Sequence, residues 1–167
     1  MSVRLWSKTC SLLGVVLLFA QSATATDASV VERGRYLAKV AGCNDCHTPG
    51  YPQAAGDIPE AQWLVGSDVG FGGPWGTSYP ANLRLYAAGI TQDQWIERVR
   101  KPMRPPMPWF ALRDMSDADV VSIYQFLRTL GPAGKPAPAA AVPGQPVTTA
   151  VIDFMPKPSA ALAKAQH

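Results

Sequence analysis

The chain has 167 residues, of which 47% are hydrophobic and 16% are charged, and its formal net charge is +3 at pH 7. This length is sufficient for one domain with a single core. A charge this small, without a concentrated basic face, argues against a nucleic-acid-binding protein, and three cysteines offer no disulfide framework.

The first residues have the features of an export signal. Arg4 and Lys8 precede an apolar run, residues 12–20, that is short for a membrane-spanning helix. Residues 23–25 fit the A-x-A cleavage pattern, so we expect residues 1–25 to be a removed signal peptide. An uncleaved N-terminal membrane anchor is the alternative. Removal of the leader also removes one cysteine and two positive charges without any acid, which leaves two cysteines and a charge of +1.

Helical patterns dominate the chain after the leader. Small and apolar residues share one helical face over residues 30–41, and two further helices are predicted to begin at the capping residues Thr91 and Ser116. The last helix stops at Gly131-Pro132. Residues 48–82 are rich in glycine, proline and aspartate, and no run alternates as a strand does. We therefore predict an all-α fold of three to five helices, whose long loops would be unusual unless a buried group held them.

The most specific pattern is the pentapeptide Cys43-Asn44-Asp45-Cys46-His47. Its two thiols have the spacing needed to form thioether bonds with the vinyl groups of haem, and the adjacent imidazole can bind the iron. A structural zinc site would need four ligands, whereas the chain after the leader adds only His167 to these three. A thioredoxin-like dithiol would lie in a βαβ unit, but here the motif follows a predicted helix. The pentapeptide therefore predicts one covalently attached haem c.

Three further patterns accompany the pentapeptide: Gly34-Arg35-Tyr36-Leu37 before it, Pro106-Met107-Pro108 after it, and a Ser116-initiated helix that ends in Tyr124-Gln125-Phe126-Leu127. Together they resemble a bacterial class I cytochrome c domain over residues 30–131. The resemblance implies a haem enclosed by an N-terminal and a C-terminal helix that cross near a small residue. Gly34 would be the point of close approach, against Phe126 or Tyr124; a tolerated helix glycine is the alternative.

From residue 131 the composition becomes rich in proline and alanine, which disfavours regular structure and predicts an extended tail. An apolar segment at Val151–Met155 interrupts this tail. It is expected to pack back on the domain, with contact to a partner as the alternative. The predicted organisation is a signal peptide at 1–25, a cytochrome c domain at 26–131 and a C-terminal tail at 132–167.

The sixth ligand of the iron is predicted to be a methionine sulfur, because His167 lies at the end of the proline-rich tail. Met107 is flanked by two prolines that hold its backbone extended, and in the resembled family the axial methionine often precedes a proline. Met103 is the second candidate, and an open iron position is a third possibility. His47 and Met107 are therefore the predicted iron ligands.

Two tryptophans, Trp75 and Trp109, are predicted to line the haem because they lie beside glycine- and proline-rich backbone near the presumed ring. An indole N–H could donate to a haem propionate, and an ordinary place in the core is the alternative for both.

Positive charge is concentrated immediately before Met107, at Arg98, Arg100, Lys101 and Arg104. One interpretation is a docking rim around the haem edge that steers an acidic partner. The other is a solvated helix end whose cations complement the helix dipole.

One haem without paired carboxylates or a nucleophile–base pair predicts a one-electron carrier with no substrate chemistry of its own. It would be a free periplasmic shuttle or the cytochrome subunit of a dehydrogenase or oxidase, with redox proteins as partners, no nucleic acid, and a membrane contact only if the leader is uncleaved. Two other functional classes stay open: a haem enzyme or gas sensor with an open iron position, and a structural or assembly subunit.

Overall fold

The computed structural model describes residues 27–156, so the predicted signal peptide, the last part of the tail and His167 lie outside the described residues. A helix over residues 27–40, α1, opens this part of the chain. The other elements are α2 (Cys43–His47), a 3-10 turn (Glu60–Gln62), β1 (Gly70–Gly73), β2 (Gly76–Ser78), α3 (Leu83–Ala88), α4 (Gln92–Val99), α5 (Trp109–Asp114), α6 (Asp117–Leu130) and β3 (Val151–Asp153). No helix within residues 27–156 is both long enough and apolar enough to cross a membrane.

The helix starts predicted from capping residues are confirmed. The Thr91 hydroxyl accepts from the Gln94 N–H at 3.3 Å, and the Gln94 side-chain oxygen accepts from the Thr91 N–H at 2.9 Å, which completes a capping box. Ser116 caps α6 by accepting from the Asp119 N–H at 3.1 Å. Gly131 ends α6 at a positive φ of 67°. The described residues hold six α-helices, more than the three to five predicted, because α2, α3 and α5 are short helices of five or six residues.

The crossing of α1 and α6 depends on Gly34, as the resemblance implied. A Cβ atom at Gly34 would lie 1.9 Å from the Ser122 carbonyl oxygen and 2.8 Å from Cβ of Phe126. Only a hydrogen in place of a side chain permits this approach, so the two backbones come close at this point. Outside the contact, Arg33 pairs with Asp119 at 2.9 Å. The aromatic partner of Gly34 is Phe126, one of the two residues proposed.

The core lies between these helices and the loops that follow α2. Its largest fully buried apolar side chains are Phe126, Leu64, Leu127, Val99 and Val120. Trp63 stands edge-on to Phe126 with ring centroids 6.3 Å apart, so a loop residue completes the helical core.

A small sheet, which the sequence did not predict, departs from the all-α expectation. Its strand order is β2-β1-β3, with β1 antiparallel to β2 and parallel to β3. The strands have only three or four residues and β1 reads Gly-Phe-Gly-Gly, so they carry no alternating apolar pattern. Since β3 belongs to the tail, the expectation that Val151–Met155 packs back on the domain is confirmed.

Candidate functional site

The pentapeptide forms one short helix, α2, with both thiols free and partly buried. Gly42, at a positive φ of 74°, separates α1 from α2 and lets the chain turn sharply before Cys43. Cys43 and Cys46 are three residues apart on a helix and therefore lie on the same side of it. His47 ends the helix and is 8% exposed. One helical turn thus presents two thiols and a buried imidazole together.

A backbone carbonyl fixes the orientation of His47. Its Nδ1 atom lies 2.7 Å from the carbonyl oxygen of Ala81. Because a carbonyl only accepts, the proton is on Nδ1 and the lone pair is left on Nε2, which is the form that binds a metal. Burial lowers the pKa of His47, and the bond to Ala81 opposes this shift only in part. The imidazole is therefore neutral at neutral pH, as an iron ligand must be.

Hydrogen bonds also hold α2 against the loop that follows it. The Thr48 hydroxyl donates to the Asn44 side-chain oxygen at 2.8 Å and accepts from the Leu64 N–H at 2.8 Å. The His47 carbonyl accepts from the Gly66 N–H at 2.8 Å. Asn44 and Thr48 are fully buried, so these bonds are shielded from water.

The surroundings of the two thiols on α2 disfavour their thiolate forms. Burial raises the pKa of Cys43 to about 11, and burial together with the Asp45 carboxylate raises the pKa of Cys46. Zinc ligands and redox dithiols need thiolates, which a raised pKa disfavours. Within the part of the chain that the structure describes, no group of three or more His, Cys, Asp or Glu residues could hold a metal ion. Two free thiols and an imidazole whose Nδ1 proton is already bonded are a donor set that fits haem attachment.

The methionine loop, residues 100–108, is attached to the β1–β2 hairpin. The Ser78 hydroxyl donates to the Pro105 carbonyl, and the Arg104 guanidinium donates to the Trp75 carbonyl at 3.3 Å. Within the loop, the Met107 N–H donates to the Arg104 carbonyl at 3.2 Å. Met107 is partly buried and packs against the core, as do the other two methionines of this region, Met103 and Met115. The assignment of Met107 as an iron ligand stays a prediction.

The structure places the two predicted haem-lining tryptophans in different settings. The Trp75 indole N–H donates to the Phe71 carbonyl at 3.2 Å, so it is engaged within the hairpin and is not free for the propionate bond suggested for an indole. The Trp75 ring lies 6.5 Å from that of Phe154. Trp109 begins α5 and carries the Arg113 guanidinium 5.3 Å above its ring. The role of both residues as haem contacts stays a prediction.

The four predicted docking cations are not equivalent. Arg98 is partly buried in the last turn of α4. Arg100 donates to the carbonyls of Leu112, Arg113 and Met115 at 2.6 to 3.0 Å, and it also pairs with Asp117. These contacts join the end of α5 to the start of α6, so Arg100 is a structural residue rather than a free rim cation. Lys101 pairs with Glu97 at the surface, and Arg104 is exposed beside the hairpin.

Two residues that support the site were missed by sequence reasoning. Asn82 follows the acceptor of His47 and caps α3 by accepting from the Leu85 N–H at 3.0 Å, and an N-cap signal before an apolar run could have identified it. Arg84 is 6% exposed and donates to the carbonyls of Ala61, Leu130 and Gly131. No pattern distinguishes Arg84, because arginine in a short helix is usually a surface residue.

Comparisons with known proteins point to one family. The family model for cytochrome c matches residues 31–131. The chain is 30% identical over 140 residues to the fructose dehydrogenase cytochrome subunit of Gluconobacter japonicus, a match that covers 74% of this chain and 27% of that protein. It is 28% identical over 123 residues to a nicotinate dehydrogenase subunit of Pseudomonas putida, a match that covers 67% of this chain and 10% of that protein. No solved structure matches.

The chain thus spans about a quarter of one curated relative and a tenth of the other. The matched family carries covalently bound haem c, and the free thiols and oriented imidazole of α2 fit that group. The chain belongs to the cytochrome c family, and its cofactor is haem c.

Proposed function

We propose that this protein is an exported, periplasmic single-haem cytochrome that serves as the electron-carrying subunit of a dehydrogenase. The observation that carries the proposal is the arrangement on α2, where two free thiols adjoin a buried imidazole whose Nδ1 proton is bound by Ala81. Electron carriage follows from the family and needs no further catalytic residue. The periplasmic location follows from the export signal predicted at residues 1–25.

Each residue of the site has one proposed role. Cys43 and Cys46 would hold the porphyrin through thioether bonds, and His47, through Nε2, and Met107 would supply the two protein ligands of its iron. When bound, haem supplies a one-electron ferric/ferrous couple. A thioether ligand favours the reduced iron and raises the reduction potential. The Ala81 carbonyl orients the imidazole, and Ser78 and Trp75 hold the methionine loop.

A dehydrogenase is the proposed source of electrons because both relatives are named as parts of dehydrogenases. The fructose dehydrogenase relative is itself named as a cytochrome subunit. A free shuttle between redox proteins is the alternative form of the same function. Purification from the native host separates the two, since a subunit copurifies with a dehydrogenase and a shuttle does not.

Exposed cations of the methionine loop are proposed to guide the redox partner. Lys101 and Arg104 are exposed, whereas Arg100 is engaged in structural contacts. Opposite charge on a partner accelerates association, and salt weakens this effect. We expect Lys101→Glu to slow electron exchange with an acidic partner at low salt, and Lys39→Glu, an exposed change on α1, to have a smaller effect. Equal rates in both variants at every salt concentration would remove the docking role.

The test of haem attachment is a double substitution of the thiols. The wild type should retain haem through acid–acetone extraction, because thioether bonds survive denaturation. Cys43→Ala with Cys46→Ala should lose it, and Cys10→Ala, in the predicted leader, should not. Haem that is extracted from the wild-type protein would contradict covalent attachment.

The test of the axial ligand is optical. Oxidised protein should show the weak far-red absorption band of iron–methionine ligation, which Met107→Ala removes and Met103→Ala retains. Retention of the band in Met107→Ala would transfer the role to another methionine. Tight carbon monoxide binding by the wild type would instead favour a haem enzyme or gas sensor with an open iron position.

A further inference from the structure

The described C-terminal segment, residues 132–154, is called the strap below, and it runs along residues 65–82. Near its start, the Asn82 side-chain amide donates to the carbonyls of Ala133 at 2.7 Å and Lys135 at 3.1 Å. Asn82 is 4% exposed, so these bonds are shielded from water. The strap is therefore fixed next to the residue whose carbonyl orients the haem-binding histidine.

Farther along, the strap pairs with both edges of the β1–β2 hairpin. On the β2 edge, Ala141 and Thr77 exchange two backbone hydrogen bonds of 2.9 and 3.0 Å. Gly76 permits this pairing, since a Cβ there would lie 2.2 Å from the Ala141 carbonyl oxygen. On the β1 edge, β3 pairs in parallel and the Gly70 N–H donates to the Ala150 carbonyl at 2.8 Å. The hairpin thus has a segment of the strap on each side.

Side chains add to this backbone pairing. The Phe154 ring lies 5.4 Å from that of Phe71 and 6.5 Å from that of Trp75. The Thr149 hydroxyl is hydrogen-bonded to the Tyr79 hydroxyl at 2.6 Å. Aromatic pairs and a hydroxyl pair of this kind each stabilise modestly, and together they fix the register of the strap on the hairpin.

The hairpin in turn holds the methionine loop. Ser78 on β2 binds the backbone of Pro105, and Trp75 in the turn binds the side chain of Arg104. Met107 is separated from Pro105 by one residue, and its N–H donates to the Arg104 carbonyl at 3.2 Å, so both bonds from the hairpin act on residues next to it. A continuous set of contacts therefore runs from the strap through the hairpin to the methionine loop.

We propose that the strap is a positioning element of the haem site, which holds the hairpin and through it keeps the methionine loop in place for iron ligation. The proposal deepens the proposed function and rests on Met107 as the axial ligand. The physical reason is that a short, glycine-rich two-stranded hairpin is marginally stable alone, and the strap supplies its missing edge partners.

The experiment uses the full-length, haem-loaded protein with Phe154→Ala and, separately, Thr149→Val, which removes the hydroxyl at nearly constant volume. The control is Tyr36→Ala, an aromatic on α1 that is 55% exposed, similar to Phe154 at 47%.

Hydrogen exchange of the Met107 and Trp109 amides is measured, together with the temperature at which the far-red band and the far-ultraviolet circular dichroism are lost. We expect roughly tenfold faster exchange in Phe154→Ala, a smaller increase in Thr149→Val and none in the control. The band should disappear at a lower temperature than the helical signal in both strap variants.

Unchanged exchange and an unchanged band in both strap variants would overturn the proposal while Met107 ligation stands. If the temperatures at which the band and the helical signal are lost fell by the same amount, the proposal would also be overturned, since the strap would then only stabilise the whole domain. A wild-type protein without the far-red band would instead contradict the proposed ligand. In that case the exchange rates would decide by themselves whether the strap holds the loop.

Discussion

Two regions that surround the haem site are stabilised in different ways. At the crossing of α1 and α6, side-chain volume decides the structure, because Gly34 leaves no space between two backbones. In residues 65–82 and 100–108, the structure depends on hydrogen bonds to backbone carbonyls, such as those of Ala81, Trp75 and Pro105. In the first region the cost of a substitution depends on added volume. In the second it depends on whether a donor to a backbone carbonyl is lost, except at glycines such as Gly76, where a Cβ would lie 2.2 Å from the Ala141 carbonyl oxygen.

Substitutions in the first region should change the stability of the whole domain, whereas those in the second should change the local stability of a loop. Overpacking at a helix crossing affects the global free energy of unfolding, because the helices form one cooperative core. Loss of a single bond in the loop region opens a local segment at a smaller cost. The effects of substitutions in the two regions should therefore differ in magnitude, and they should be reported by different signals: global unfolding for the first region and local opening for the second.

The largest effect is expected for Gly34→Ala. The new methyl group would overlap the Ser122 carbonyl, so the helices must separate and the free energy of unfolding should fall by about 3 kcal/mol. The matched control is Gly89→Ala, at φ −91° with no atom nearer than 3.6 Å, where the change should be within about 1 kcal/mol of zero. Denaturant unfolding of the haem-loaded protein measures both. Equal stabilities of the two variants would show that the crossing adapts to added volume.

Arg84 joins α3 and the 3-10 turn to the end of α6, and Arg84→Lys tests this junction. One ammonium group cannot satisfy the carbonyls of Ala61, Leu130 and Gly131 in the geometry of a guanidinium, so a loss of about 2.5 kcal/mol is expected. Arg128→Lys, at an exposed position near the same end of α6, should cost less than about 0.5 kcal/mol. The measurement is the denaturant midpoint of unfolding of each variant, compared where the dependence of the free energy of unfolding on denaturant is unchanged. A wild-type midpoint for Arg84→Lys would mean that water replaces the lost bonds.

A smaller effect is expected for Arg100→Ala, which leaves three carbonyls at the α5–α6 junction without their donor. The expected loss is about 1.5 kcal/mol, because the site is only partly buried. Lys101→Ala, next in the chain, removes only an exposed pair with Glu97 and should change stability by less than about 0.5 kcal/mol. Thermal unfolding of the two variants distinguishes a structural Arg100 from the rim cation that its sequence position suggests. Equal melting temperatures would restore the rim interpretation.

The smallest effect is expected for Asp119→Asn, at the surface of the helix crossing. Its hydrogen bond with Arg33 lowers the pKa of Asp119, so the carboxylate stabilises the fold above the unfolded-state pKa and stops doing so as pH falls through the folded-state pKa. The variant should be less stable than the wild type by under about 1 kcal/mol at pH 7, and the difference should shrink in acid. Unfolding measured between neutral pH and about pH 3 checks this. A difference that grows in acid would contradict the assigned direction.

The helical part of the fold was predictable because periodicity and caps are local signals. Thr91, Ser116 and Gly131 mark helix ends in the sequence itself, and Gly34 was identified through the family resemblance. The small sheet was not predictable, since the reason for its glycines, the close approach of the strap, is visible only in the folded structure. Arg84 and the engagement of Arg100 were also missed, because a charged side chain that binds backbone carbonyls has no sequence pattern.

The pentapeptide alone indicated haem, but the partner of His47 could not be inferred from it. Ala81 is 34 residues away and contributes a carbonyl, a group that every residue has. The loop that closes around the core brings the Ala81 carbonyl to the imidazole, and no local sequence pattern predicts a contact between residues so far apart in the chain.

The use of a carbonyl as the partner of His47 has a consequence for mutations at position 81. The side chain of Ala81 is exposed and takes no part in the bond, so most substitutions at this position leave the acceptor unchanged. A carboxylate or amide in the same role would be lost by a single mutation. The orientation of the His47 imidazole is therefore set by the path of the backbone at position 81 and not by the side chain that position 81 carries.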